Sequence, residues 1–377
     1  MARIPVESAT ATTCTVNGRE LLAFGGCNYL GLANRPEVHA GMAAALARYG
    51  ISTTASRETT GNTLIHESLE AALAGFTGQE AAILSAEGYT ANFMCAQALT
   101  DDLRIALIDA NAHRSIRNAA TAAGMFVFEY EHLNPDSAAW HIRQHAEAGI
   151  AIMTDSVFAA DGAIAPLREL LGLLPSHRSA LVVDDCHGFC VLGPGGRGAV
   201  PHLGIDDPRV CITSTLAKGL GCYGGAVMGR SRFVRTVRER AWVYRSSTPV
   251  PPPLAGAALA AVELLSQNPS LVTQLRDNIR RMRSVMQSLS LPVPPEDIPI
   301  FTFYLDSDAR NQTVHDLLLG DGILAPLIEY PGGPCPRYFR VVINAMHSAA
   351  DIERLGDRLA KALQASGYPM PSAPVGA

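Results

Sequence analysis

The sequence predicts an α/β protein, with a mostly parallel sheet in a large domain and a smaller α+β domain after it. Three observations carry this. Between residues 81 and 229, short apolar runs alternate with helical stretches, the pattern of strands covered by helices on both faces of a sheet. Polar residues cluster where several of those runs end, as they do along the carboxyl edge of an open α/β sheet. The length, 377 residues, exceeds what one small core needs.

Composition narrows the function classes. Nearly half the residues are hydrophobic (48%) and 17% are charged, which fits a packed globular chain rather than a disordered one. The formal charge of −5 gives no electrostatic footprint for nucleic acid or an anionic membrane. Eight cysteines are scattered without framework spacing, so reduced thiols in a cytoplasmic protein are expected. No basic segment precedes an apolar one at the start. The apolar run LAGAALAAVELL (254–265) is too short to span a bilayer and contains Glu263.

The elements follow in order. CTVNGRELLAF reads as a hairpin turning at Asn17-Gly18. Residues 37–50 and 66–76 have helical apolar spacing. Strands are expected at 81–85, 104–110, 125–129, 150–156, 180–186, 210–215 and 225–229. Helices fall at 89–99, 114–124 and 138–149. Near 245, Pro249, Pro251, Pro252 and Pro253 interrupt the pattern, and a long helical region runs on to about 290. IFTFYL (300–305) and RYFRVVIN (337–344) are strands, and SAAD (348–351) is a capping box opening the last helix. The expected division is an N-terminal segment 1–45, a large domain 46–245 and a small domain 246–377.

Four neighbouring strand ends carry polar groups, Asp109–His113, Asp155–Ser156, Asp184–His187 and Thr215–Lys218, as one site built from separate loops would. In VVDDCH, Asp184 ends a buried strand. A carboxylate there needs a partner, either a structural one such as a helix cap or salt bridge, or a protonated ring nitrogen of a ligand. His187 follows within reach of a ligand oxygen. Cys186, His187 and Cys190 lack a second pair at metal-ligand spacing. In DANAHRS, His113 is either a solvated loop histidine or one that lies on an aromatic ring. SAEGYTAN places Gly88 and Tyr89 between strand and helix, where free backbone N–H groups attract anions. Thr215, Ser247 and Thr248 are hydroxyls that serve a phosphate or a routine cap. In TLAKGLG, Lys218 lacks the preceding glycine and following Ser/Thr of a nucleotide P-loop. A lysine near apolar groups forms a Schiff base with a carbonyl. Such a lysine, a ring-nitrogen carboxylate, a phosphate cradle and a stacking histidine together describe pyridoxal 5′-phosphate.

The chain resembles the α-oxoamine synthases, pyridoxal-phosphate enzymes of fold type I. The likeness runs from about residue 13 to 365 through NYLGLA (28–33), SRETTGN (56–62), HESLE (66–70), EGYTAN (87–92), DANAHRS, DSVFAADGAIAPL (155–167), VDDCHGFCVLGPGGRG (183–198), STLAKGLGCYGG (214–225), SSTPVPP (246–252) and RVVINAMHSAADIERL (340–355). It implies a seven-stranded sheet in the large domain. It also implies that Lys218 carries the cofactor as a Schiff base, Asp184 pairs with the ring nitrogen, His187 bonds the phenolic oxygen and His113 stacks on the ring. Gly88, Tyr89 and Thr215 hold the phosphate, joined by Ser247 and by Thr248 from the partner of a homodimer with a shared active site. Asn28, Ser56 and Arg340 face the substrates, with Arg340 on the amino-acid carboxylate. The implied reaction condenses a small amino acid with an acyl thioester, of coenzyme A or a carrier protein, and releases CO2. Another fold type I activity, aminotransferase or aldolase-type lyase, is the alternative.

The sequence departs from the family in places. Ala159 and Ala217 stand where serines are usual, which removes two hydroxyls near the cofactor, each hydrogen bond worth about 1 kcal/mol net. GISTTASR (50–57) replaces a glycine-rich stretch. Tyr338 replaces the first arginine of an RLR-like pair, and PGGPCPR (331–337) lacks a threonine of acyl-binding members. Ser56, where glycine-restricted members carry threonine, points to alanine, serine or an unrestricted choice.

Overall fold

The computed structural model describes residues 5–330, 333 and 335–369. PGGPCPR therefore lies partly outside the described residues. The chain forms two compact units. One comprises 1–34, 159–163 and 270–377, the other 35–158 and 164–269.

The first unit opens with strands β1 (Ser8–Ala9), β2 (Thr13–Val16) and β3 (Arg19–Ala23). The β2–β3 hairpin turns at Asn17 (φ 49°) and Gly18 (φ 69°), the pair of positive φ values a two-residue turn requires.

The larger unit follows. Helices α1 (Pro36–Tyr49) and α2 (Leu64–Thr77) lead into β4 (Ala81–Ser85), α3 (Gly88–Leu99), β5 (Ile105–Asp109), α4 (Arg114–Ala122), β6 (Phe126–Tyr130), α5 (Pro135–His145) and β7 (Ile150–Asp155). Then come α6 (Leu167–Leu173), β8 (Ser179–Asp184), α7 (Ala199–His202), β9 (Val210–Thr215), β10 (Gly225–Gly229), α8 (Ser231–Arg240), α9 (Trp242–Arg245) and α10 (Pro252–Gln267). The seven strands form one sheet in the order β4-β10-β9-β8-β7-β5-β6. β5 to β9 pair in parallel. β10 runs antiparallel to both neighbours, because no helix separates β9 from β10 to carry the chain back across the sheet.

The large unit extends beyond the expected boundary at 245, and begins before 46. Pro252 and Pro253 sit in the first turn of α10, where their missing N–H groups cost nothing, so they start a helix rather than mark a linker. That helix packs on α1. At the crossing a Cβ on Gly41 would lie 2.7 Å from Gly256 O, and one on Gly256 2.6 Å from Gly41 O. Only glycine allows this approach.

The rest of the first unit is α11 (Ser270–Ser288), β11 (Ile300–Phe303), α12 (Asp308–Gly320), β12 (Ile323–Leu324), β13 (Leu327–Ile328), β14 (Tyr338–Val342) and α13 (Ala349–Ala365). β11, β14 and β13 form an antiparallel sheet, and β12 joins the N-terminal strands. Ser348 and Asp351 form the expected capping box, with Ser348 Oγ accepting from Asp351 N–H at 3.1 Å. Among the described residues no helix is long and apolar enough to cross a membrane.

Candidate active site

Four neighbouring strands of the larger unit end on polar residues: Asp109 on β5, Asp155 on β7, Asp184 on β8 and Thr215 on β9. The strands before them are buried along their length, which is why they read as continuous apolar runs.

Lys218 lies in the connection 216–224 between β9 and β10. Its Nζ stands 2.7 Å from His187 Nε2. Among the described residues it has no carboxylate partner, so its amine is free for covalent chemistry. The connection folds back on itself: Leu216 N–H donates to Gly224 O and Gly221 N–H to Lys218 O, both at 2.9 Å. Gly219 brings it against Cys190, whose Cβ would stand 2.4 Å from a Cβ at 219.

Asp184 is buried and holds two donors. Oδ1 accepts from Cys186 N–H at 3.1 Å, and Oδ2 accepts from Asn92 Nδ2 at 2.7 Å. His113 is the N-cap of α4. Its own N–H donates to Asp155 Oδ2 at 2.7 Å, and its Nδ1 accepts from Ser115 N–H at 3.4 Å. The residue is exposed, but its Nδ1 edge faces buried Ser115. Burial of that inner edge lowers the His113 pKa; Asp184 works against the shift and Lys218 with it. Tyr89 meets the imidazole edge-on, centroids 6.3 Å apart, and its Oη accepts from Asn118 Nδ2 at 2.6 Å.

Gly88 begins α3 directly against Thr215; a Cβ there would lie 2.6 Å from Thr215 Cβ. Thr215 Oγ1 accepts from Ala217 N–H at 3.2 Å and donates to Gly224 O at 3.3 Å. Glu87 caps the helix through a capping box with Thr90. Ser247 Oγ donates to Val243 O at 2.5 Å, and Thr248 is exposed. Ser56 is half-buried, its carbonyl accepting from Thr59 and Gly61 N–H. Ala217 is exposed. These side chains fit pyridoxal phosphate by the amine of Lys218, which among the described residues has no carboxylate partner, and by the Gly88–Thr215 approach that a Cβ would fill.

Asn28, Arg340 and Ala159 belong to the other unit. Asn28 Oδ1 accepts from Ala33 N–H at 3.3 Å. Arg340 lies on β14, its Nη2 3.9 Å from Sγ of Cys27, next to Asn28. Its Nε is buried without a hydrogen-bond partner among the described residues. Among the described residues no group of three or more His, Cys, Asp or Glu is placed to hold a metal.

Sequence reasoning gave no role to Asn92, Ser115 or Thr213, nor one to Asp155 beyond its place at a strand end. All four are buried beside the predicted residues. The available signal was Asn92 itself, a polar residue in a helix otherwise small or apolar on most sides.

Asp185, next to Asp184, is buried and accepts from Ser156 Oγ at 2.5 Å and Ala199 N–H at 3.0 Å. Burial, only partly offset by these donors, pushes its pKa up to about 7 from an ordinary 3.8. The folded protein therefore binds a proton here that the unfolded chain releases. The resulting stability is present below pH 3.8 and is lost as pH rises to about 7. Asp185→Asn should flatten that decline by on the order of 4 kcal/mol. Urea unfolding of both proteins at pH 4 and 7 checks this, and equal slopes would refute it.

Comparison with known proteins agrees with the fold. The model of the family "Aminotransferase class I and II" matches residues 19–359. A putative 8-amino-7-oxononanoate synthase of Desulforudis audaxviator is 34% identical over 361 residues, covering 96% of this chain and 94% of the relative. The 8-amino-7-oxononanoate synthase of Nitrosospira multiformis is 33% identical over 358 residues, covering 95% and 90%. Among solved structures, a serine palmitoyltransferase variant from S. paucimobilis with a bound PLP–myriocin adduct superposes with a TM-score of 0.92 at 23% identity, covering 97% of this chain and 94% of that one. The chain thus belongs to the aminotransferase class I and II family and, within it, to the α-oxoamine synthases, an enzyme family built on pyridoxal phosphate.

Proposed function

We propose that this acyltransferase joins a small amino acid to an acyl thioester and releases CO2 and free thiol, leaving an α-amino ketone. The observation that carries the reading is Lys218 Nζ, without a carboxylate partner among the described residues, 2.7 Å from His187 on the strand-end face that holds Asp184. Lys218 holds pyridoxal phosphate covalently. Asp184 pairs with its ring nitrogen, His187 with its phenolic oxygen, and His113 covers its face. Gly88, Tyr89, Thr215 and Ser247 take the phosphate, with Thr248 supplied by the second copy of a homodimer.

The bound cofactor supplies a ring that accepts the electron pair left when the amino acid loses its α-proton. The chain's own residues do the rest. Arg340 takes the substrate carboxylate, which the buried, unpartnered Nε favours. Asn28 and Ser56 bound the amino-acid side, and serine at 56 leaves room for a β-carbon. Lys218, once its amine is released, takes the α-proton. His113 orients the acyl carbonyl. The α-carbon bonds to that carbonyl carbon as the carbon–sulfur bond breaks, the thiol leaves with the proton that Lys218 took, the amino acid's own carboxylate departs as CO2, and the α-carbon takes up one proton from solvent.

The test uses the cofactor-loaded protein with glycine, alanine and serine against acyl-CoA and acyl-carrier-protein donors. Coupled release of thiol and CO2 is expected with alanine or serine. Amino-group transfer to a 2-oxo acid, with no thiol from any donor, would overturn the proposal in favour of an aminotransferase.

A further inference from the structure

One polar chain runs behind the site and reaches two of its members. Thr213 Oγ1 donates to Asn92 Oδ1 at 2.6 Å. Asn92 Nδ2 faces two acceptors, Asp184 Oδ2 at 2.7 Å and Ser115 Oγ at 2.9 Å. Ser115 Oγ lies 2.7 Å from His113 Nδ1. Asn92 is fully buried, as are Thr213 and Ser115.

The proton directions along this chain follow from chemistry. A carboxylate only accepts, so the Asn92 amide must turn its nitrogen toward Asp184 and its oxygen toward Thr213. A flipped amide would set its carbonyl against the carboxylate. The second Nδ2 hydrogen then points at Ser115 Oγ, which accepts it. The hydroxyl proton of Ser115 is left to point at His113 Nδ1. The backbone N–H of Ser115 is directed at the same nitrogen. Two donors therefore converge on Nδ1, which must be bare, and the ring proton sits on Nε2.

We propose that Asn92 and Ser115 are positioning residues that hold His113 as its neutral Nε2–H tautomer and tie that choice to Asp184. The importance of the tautomer rests on the proposed function, because only an Nε2–H can donate to a substrate oxygen. Protonating Nδ1 would displace both donors and leave the Ser115 hydroxyl without its acceptor. Among the described residues, the other charged or titratable groups around His113 are Asp184, Lys218, Asp155 on its backbone N–H, and Tyr89 at its edge. None of these touches Nδ1 directly.

The test is NMR of the full-length, cofactor-loaded protein carrying 15N-imidazole histidine, with His113 assigned through His113→Asn. The wild type should show a bare Nδ1 and a protonated Nε2 at neutral pH. Ser115→Ala should give a mixed tautomer signal and raise the His113 titration midpoint by about one pH unit, the shift expected when one hydrogen bond to the neutral form is lost. Asn92→Leu should move both in the same direction. Ser115→Thr, which keeps the hydroxyl, should retain the wild-type signal. A wild-type ring carrying its proton on Nδ1, or unchanged His113 signals in both Ser115→Ala and Asn92→Leu, would overturn the relay. The spectra need no acyl donor, so a failure of the condensation reading leaves this result standing, and the reverse also holds.

Discussion

Replacing Lys218 by alanine is expected to lower turnover by about 10³-fold or more, while leaving the fold intact. The residue has two tasks in the proposed reaction. It holds the cofactor covalently, and its released amine takes the α-proton, a role that alone contributes about 10²–10⁴-fold. The structural cost of removal is small, because among the described residues Nζ makes one hydrogen bond, to His187. Lys218→Arg should not restore activity, since a guanidinium stays protonated and cannot serve as the base. A second readout separates loss of the covalent hold from loss of the base. Lys218 and Lys361 are the only lysines in the chain. Borohydride reduction of the loaded protein, followed by peptide mass mapping, should therefore mark the Lys218 peptide alone. Marking at Lys361, or full activity in the alanine variant, would remove Lys218 from its role.

What the sequence made legible follows burial and locality. The strands of the large sheet are buried on both faces, so each appears as an uninterrupted apolar run, and the polar residue ending it stands out. Asp184, Thr215 and the lysine in the following bend were visible for that reason. The expected helix 138–149 instead starts at Pro135, a residue that fits a first helical turn, and ends at His145. The boundary at 245 misled because a proline cluster serves equally for a linker and for the first turn of a helix. Only the packing of α10 on α1 decides between them. Asn92 was hidden more deeply. Its two acceptors, Asp184 and Ser115, lie 92 and 23 positions away. No local pattern announces a pairing at that range, and the same holds for Ser56's neighbour Arg57 and its acidic partner Glu70.

That last pair gives the largest expected effect on stability. Arg57 and Glu70 form a two-pronged ion pair, Nη1 to Oε1 at 2.9 Å and Nη2 to Oε2 at 3.0 Å, with both side chains buried. Burial alone would lower the Arg57 pKa, but the bonds to Glu70 outweigh it and raise it. The remaining groups are also engaged: Arg57 Nε donates to Asn62 Oδ1 at 2.6 Å, and Glu70 Oε1 accepts from Leu84 N–H of β4 at 2.9 Å. Arg57→Met leaves a buried carboxylate, and Glu70→Leu leaves a buried guanidinium. Each should cost about 3–5 kcal/mol in urea unfolding. The double variant should recover most of that loss, because no unpaired charge remains and the new side chains fill similar space. Additive losses would mean that the pair is not coupled. The double variant also tests function. Arg57 follows Ser56 directly, and the turn after it is tight, since a Cβ on Gly61 would lie 2.1 Å from Ala55 O. If the ion pair positions Ser56, a stable double variant keeps its cofactor yet shows a raised KM for the amino acid, with the KM for the acyl donor unchanged. An unaltered KM for the amino acid would confine Arg57 and Glu70 to stability and detach Ser56 from their geometry.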